Sequence, residues 1–182
     1  MADPMRPVPY TEDVHLQRTR AYMTDDQRFA ARRPDVMVYQ TDALTEDVTL
    51  TGPLMADLFV STTGTDADYV VKLIDVFPDT LGKYPENDKK VPMQGYQMLV
   101  RGEIMRGRFR NSFEKPEPFV PDKVAEVKFE LPDVAHTFKR GHRIMVQVQN
   151  SWFPLADRNP QKFVDIYQCA DSDFQKAMHR IY

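Results

Sequence analysis

The 182-residue sequence has little of what most reactive sites are made from. It has one cysteine, Cys169, so no intrachain disulfide can form. No nucleophile signature surrounds Cys169, which is expected to be a small, wholly or partly buried side chain. No apolar run approaches the roughly 18 residues of a membrane span. The opening MADPMRPVPYTED lacks a basic segment followed by an apolar one, the pattern of a signal peptide. The four serines are Ser61, Ser112, Ser151 and Ser172, and none sits in G-x-S-x-G, the turn that raises a hydrolase nucleophile. No G-x-G-x-x-G occurs, and the one Gly-Lys pair, Gly82-Lys83, precedes a tyrosine, which excludes a phosphate-binding P-loop. There is no excess of positive charge either. The formal net charge is -3, whereas phosphate neutralisation calls for a basic protein or a large basic face.

What is present describes a folded, strand-rich domain. Hydrophobic residues make up 42% and charged residues 28%, a soluble globular balance for a chain long enough to build one core. Residues 1–13 are polar and rich in proline, and they read as an extended linker ahead of a domain spanning 14–182. Thr24-Asp25-Asp26-Gln27 has the form of a capping box opening a short helix that Pro34 stops. Strand signals follow at 36–41, 54–61, 96–105, 125–131 and 143–151. YVVKLIDVF (69–77) is apolar on both faces and should be a central strand. Turn signals separate them at Thr51-Gly52-Pro53, Thr63-Gly64-Thr65-Asp66, Pro78-Asp79-Thr80 and Arg140-Gly141-His142. The end of the chain, from Asp171 through KAMHRIY, predicts a capped short helix. The resulting fold class is all-β, a jelly-roll β-sandwich with short helices near the N-terminus and the C-terminus.

Five stretches could carry chemistry or binding. RGRFR places Arg106, Arg108 and Arg110 on one face of a strand and Gly107 and Phe109 on the other, if the strand continues. These arginines either clamp nucleic acid or pair with carboxylates, and the acidic balance favours the pairing. They are expected to tie strand to loop within the domain or to form an interdomain contact. Asp66 and Asp68 form a D-x-D before a strand, but two carboxylates are too few for calcium, and a solvated turn is the simpler reading. His136 and His142 are six apart, which suits neither a strand nor a helix metal pair, so surface or turn histidines are expected. No cofactor or metal is expected. Trp152, Phe153 and Asp157 could present a sugar-stacking platform or a cleft contact; alternatively the aromatics plug the end of the core. YPENDKKVP (84–92) reads as a charged loop.

Four long segments carry a resemblance: YMTDDQRFAARRPDV (22–36), LTGPLMADLFVSTTGTDADYVVKLIDVFPD (50–79), RGEIMRGRFRNSFEKPEPFVP (101–121) and FKRGHRIMVQVQNSWFPLADRNPQ (138–161). Together they resemble the C-terminal domain of bacterial α-amino acid ester hydrolases. Those enzymes are related to glutaryl-7-aminocephalosporanic acid acylases, cocaine esterase and X-Pro dipeptidyl-peptidases. DQRFA and RGRFRNSFEKPEPF are more similar to the ester hydrolases than to the peptidases. The resemblance implies a parent with an α/β-hydrolase domain bearing a Ser-His-Asp triad, a helical cap, and a jelly roll similar to galactose-binding domains. This chain matches the jelly roll alone, so no triad residue carries over. Its implied role is non-catalytic: it would brace the hydrolase domain and help wall the active-site cleft, and it should be inactive by itself. Its implied partner is that α/β-hydrolase domain, with neither nucleic acid nor membrane involved. The compartment is left open, with a secreted or periplasmic parent among the options. Family members often have a further strand after the segment matching HRIY; an open sheet edge there would favour a homo-oligomer. The alternative function is a carbohydrate-binding module.

Overall fold

The computed structural model describes residues 1–80 and 93–182. The expected charged loop YPENDKKVP and the Gly82-Lys83 pair lie outside the described residues. Among the described residues seven strands form two antiparallel sheets: β1 (Met37–Gln40), β2 (Val48–Thr62), β3 (Asp68–Val76), β4 (Gln97–Arg106), β5 (Ala125–Phe138), β6 (Arg143–Gln149) and β7 (His179–Ile181). One sheet has the order β1-β6-β3-β4 and the other β5-β2-β7. This is the expected all-β sandwich. Among the described residues no helix is long and apolar enough to cross a membrane.

Period-2 alternation builds the core. In β5, Val127, Phe129 and Leu131 are buried while Glu126, Lys128 and Glu130 are exposed. They meet Ala56 and Val60 of β2, and together these pack against Tyr69, Val71, Met105 and Val148 of the facing sheet. A second cluster joins Leu73 and Val100 to Val134 and Phe138. Each such side chain contributes about 1.5–3 kcal/mol when fully removed from water. β3 is buried at every position, as a strand flanked by two others and covered on both faces must be.

The Thr51-Gly52-Pro53 signal does not end a strand. β2 runs through it, and the β2–β5 register shifts between Gly52 and Leu54. Gly52 sits at φ +93, a conformation that side-chain-bearing residues rarely adopt, so this is a bulge inside a long strand.

The two outer faces differ. Over the four-stranded sheet, Tyr10, Tyr22 and Trp152 pack on Val70, and Val8 packs with Ala30 and Val36. Part of the stretch expected as linker therefore lies folded against the sandwich. Ala2 exchanges backbone hydrogen bonds with Ala177 (2.8 and 3.1 Å), and Tyr10 N–H donates to the Phe153 carbonyl at 2.9 Å. Over the other sheet, Thr49, Met55, Asp57 and Phe59 point outward and are exposed.

Both expected helix readings change in detail. The N-terminal helix α1 is one turn, Arg28–Ala31, and its N-cap Gln27 makes no side-chain cap. Thr24 ends a preceding 3-10 turn, Ala21–Met23. At the C-terminus only Asp171–Asp173 is helical, as a 3-10 turn. The following residues form β7, in which His179–Ile181 pair with Val60–Thr62 of β2. A helix was expected from the cap at Asp171 followed by KAMHRIY, but the free edge of β2 offers a ladder that a short segment cannot match with its own hydrogen bonds.

Candidate functional site

Charge is buried at three places along or beside β3, and these are the positions where function would be built. The first is Lys72, which is 0% exposed on the outer face of β3. Its ammonium donates to Gln27 Oε1 at 3.0 Å. It lies 5.1 Å from the centroid of the Trp152 ring and 5.8 Å from that of Phe29. Gln147, its register partner on β6, is also buried. No carboxylate lies within ion-pair distance among the described residues, and burial lowers the Lys72 pKa to about 7. The side chain of Gln27, expected to cap a helix, is instead the acceptor for this lysine.

The second place is the RGRFR stretch. β4 ends at Arg106, and Gly107–Phe109 turn as a 3-10 segment, so the three arginines do not share a strand face. The turn is tight. A Cβ at Gly107 would lie 2.6 Å from both the Ala67 carbonyl oxygen and the Phe119 ring. Each guanidinium leaves in its own direction. Arg108 donates from Nε to Asp66 Oδ2 at 2.7 Å and from Nη2 to the Val164 carbonyl at 2.8 Å, and its guanidinium lies 4.8 Å from the Phe163 ring centroid. Arg106 reaches Asp68 Oδ2 at 3.2 Å and the Asp157 carbonyl at 3.1 Å. Arg110 donates to the carbonyls of Gly107, Glu117 and Pro118 and packs over Phe119.

Asp66 and Asp68 are therefore not a solvated turn. They are 0% and 1% exposed. Asn159 Nδ2 donates to Asp68 at 2.7 Å. Burial pushes the Asp68 carboxyl up to about 6 despite the pull of Arg106 and Asn159.

The third place is Asp75, on the inner face of β3. Its two oxygens accept from two rings: His142 Nδ1 at 2.8 Å and His136 Nε2 at 2.9 Å. The two histidines expected at the surface or in turns converge on one buried carboxylate. His142 is 8% exposed and also stacks near Phe77. Among the described residues no group of His, Cys, Asp or Glu has the arrangement of a metal site. The trio joins β3 to β5 and to the turn before β6. Asp75→Ala should lower unfolding free energy by about 3 kcal/mol, since it leaves the buried His142 ring and the half-buried His136 ring without their acceptor. Urea denaturation checks this, with Asp75→Asn expected to fall in between.

The aromatic candidates separate. Trp152 is 5% exposed, packed edge-on against Tyr22 and over Lys72, so its ring is buried on the outer face of the four-stranded sheet and has no open face for a sugar. Phe153 is 36% exposed beside Arg158, and Asp157 uses its carbonyl to accept from Arg106. Cys169 is partly buried, with Sγ 3.3 Å from the Ile166 carbonyl.

Sequence reasoning missed Lys72 and Asp75 as special positions. The signal was there: two ionisable residues inside an otherwise apolar run that had to be buried on both faces. Chemically, these arrangements hold the fold together and contain no nucleophile–base pair. Ser61 bonds the Tyr182 hydroxyl, and Ser151 accepts from Val8 N–H and bonds Asn150. Among the described residues no serine, threonine or cysteine side chain hydrogen-bonds a histidine ring.

Comparison with known proteins places this fold in a family. The family model described as the X-Pro dipeptidyl-peptidase C-terminal non-catalytic domain matches residues 8–182. A cocaine esterase from Rhodococcus sp. (strain MB1 Bresler) is 36% identical over 157 residues, 86% of this chain and 25% of the relative. An aminopeptidase structure from a marine-sediment Thaumarchaeota archaeon superposes over 100% of the chain with TM-score 0.89 and 47% identity, and the match spans 30% of that protein. An α-amino acid ester hydrolase superposes over 100% with TM-score 0.90 and 42% identity, again over 29% of the larger chain. The chain thus spans between a quarter and a third of the length of these relatives. With the family model matching residues 8–182, the chain belongs to the X-Pro dipeptidyl-peptidase C-terminal non-catalytic domain family.

Proposed function

We propose that this domain braces an α/β serine-hydrolase domain of the same polypeptide and walls one side of its active-site cleft. The observation that carries this reading is the family match over residues 8–182 to a domain described as non-catalytic. The relatives it aligns with are three to four times longer, at 25–30% coverage. Their names, an aminopeptidase, an ester hydrolase and an esterase, point to acyl transfer from esters or amides as the parent chemistry. The interior geometry supports a stiff brace: the arginines of RGRFR, Asp75 with its histidines, and Lys72 each pin a loop or strap to the sandwich. Val14 and Leu16 on the N-terminal strap are 98% and 104% exposed, and Met37, Val38 and Tyr39 of edge strand β1 are also exposed. These unpartnered apolar side chains suit contact with another domain.

The purified 182-residue chain should not turn over amino-acid esters. Turnover abolished by a serine-directed inhibitor would sink the reading; absence of turnover, with activity in a polypeptide that adds the hydrolase domain, would support it.

A further inference from the structure

Between β6 and β7 the chain forms no strand, and residues 157–164 lie across the turn that joins β2 to β3. The approach is close: a Cβ at Gly64 would collide with the Gln161 carbonyl oxygen. Thr65 N–H donates to that carbonyl at 3.1 Å, and Phe163 N–H donates to Thr65 Oγ1 at 2.8 Å. The other fastenings come from the arginine seam. Arg106 holds the Asp157 carbonyl, Asn159 Nδ2 holds Asp68 Oδ1 at 2.7 Å, and Arg108 holds the Val164 carbonyl. The segment is fixed at its start, middle and end by groups gathered around two buried carboxylates.

Those carboxylates are unequally served. Asp66 accepts from both Nε and Nη2 of Arg108. Asp68 shares the Arg106 guanidinium with the Asp157 carbonyl, and the ion pair is longer, at 3.2 Å. Two buried anions two residues apart repel, and a proton settles on the less well paired of them.

The other ionisable neighbours leave that order intact. Burial raises the pKa of the adjacent Tyr69, so its hydroxyl stays protonated. His179 of β7 stacks on Tyr69, and burial brings its pKa down to about 4. Arg110 spends its donors on the carbonyls of Gly107, Glu117 and Pro118. On the segment itself, Arg158 reaches the Pro4 carbonyl, Lys162 reaches Asp173, and Asp157 is exposed. The Asp68 pKa of about 6 agrees with this geometry.

Lifting residues 157–164 takes Asn159 away from Asp68 and admits water to the carboxylate, whose pKa then returns toward the ordinary 3.8. The closed state holds the Asp68 proton more tightly than the open one. Closure is therefore strongest in acid, and the advantage is lost as pH rises through about 6.

We infer that residues 157–164 form a pH-sensitive latch, closed while Asp68 is protonated and opening more often once it is ionised. The inference is independent of the bracing role.

Amide hydrogen exchange on the 182-residue chain, corrected for intrinsic rates, tests it. Gln161 and Phe163 report on the latch, and Val71 of central strand β3 reports on global unfolding. Opening at Gln161 and Phe163 should rise about tenfold from pH 5 to pH 7.5 and level off above that. Low urea should leave it unchanged while accelerating exchange at Val71. The Asp68 carboxyl carbon, followed by NMR, should titrate with a midpoint near 6. Asp68→Asn should keep the latch at its acid level across the range. A midpoint near 4, an opening that is flat with pH, or loop amides that exchange only together with Val71 would each overturn the proposal. So would a folded Asp68→Asn protein that keeps the wild-type pH dependence, which would assign the proton to another group. If that variant does not fold, the wild-type titration and exchange profile decide between the outcomes.

Discussion

Replacing Arg108 by alanine is expected to destabilise the domain by about 3–5 kcal/mol, the cost of leaving a buried carboxylate without its cation. Asp66 is fully buried, and only 11% of the Arg108 side chain is exposed, so water cannot replace the guanidinium. The change also releases the Val164 carbonyl and the Phe163 ring, loosening the loop that follows Gln161. For a chain of 182 residues this loss corresponds to roughly 10 °C in melting temperature. Calorimetry on the isolated domain reads it directly. The double variant Arg108→Met, Asp66→Leu should recover most of the loss, because a buried ion pair is worth little more than a well-packed apolar pair. An Arg108→Ala domain that melts with the wild type would mean that the arginine is held for an interdomain contact and contributes nothing within the fold. Lysine at this position should not rescue, since it cannot reproduce the fork that reaches a carboxylate and a carbonyl together.

Lys72→Met is expected to act in the opposite direction and to depend on pH. The folded-state pKa of about 7 lies below the unfolded value of about 10.4. Between those values the unfolded chain holds the proton more tightly, so stability rises with pH across the interval. Linkage sets the full gain at up to roughly 5 kcal/mol. At pH 7 the wild type has little of that gain, and methionine in the same slot should match or exceed its stability, less the hydrogen bond to Gln27. At pH 10 the wild type should have closed the gap or overtaken the variant. Denaturation of both proteins from pH 6 to 10 checks this. The informative quantity is their difference, since other lysines and tyrosines titrate equally in both. A difference that stays constant over the range would show that Lys72 keeps an ordinary pKa in the fold.

Strand content was the most legible part of the sequence. The alternation of Val127, Phe129 and Leu131 against Glu126, Lys128 and Glu130 reported its burial pattern directly. The central place of β3 could be read from nine residues with no polar face. Chain reversals were less secure. Gly52-Pro53 reads as a turn, but a bulge needs the same backbone freedom, and only the pairing partner distinguishes them. Likewise, whether His179–Ile181 become helix or strand depends on the free edge of β2, which lies more than a hundred residues earlier. The site was harder still. RGRFR drew notice by composition, and pairing with carboxylates was the right kind of partner, yet the strand geometry assumed for it failed because Gly107 turns the chain. Which carboxylates they meet could not be read locally: Asp66 and Asp68 come into reach only through the β3–β4 register. Asp75 with His136 and His142 depends on three separate elements, and no local spacing encodes that meeting. Trp152 shows the same limit from the other side, since an aromatic after a strand reads alike whether it faces solvent or a buried lysine.

The unequal covering of the two sheets has a practical side. Behind β3 and β6 residues 8–36 cover Val70, Lys72 and Gln147, so even a modest change at Lys72 or Gln147 propagates into that segment. Behind β2 and β5 the outward side chains of Thr49, Asp57 and Lys128 touch mainly one another and solvent. That bare wall is where the domain can carry spectroscopic labels, an immobilisation tag or a run of library substitutions while its interior stays as it is.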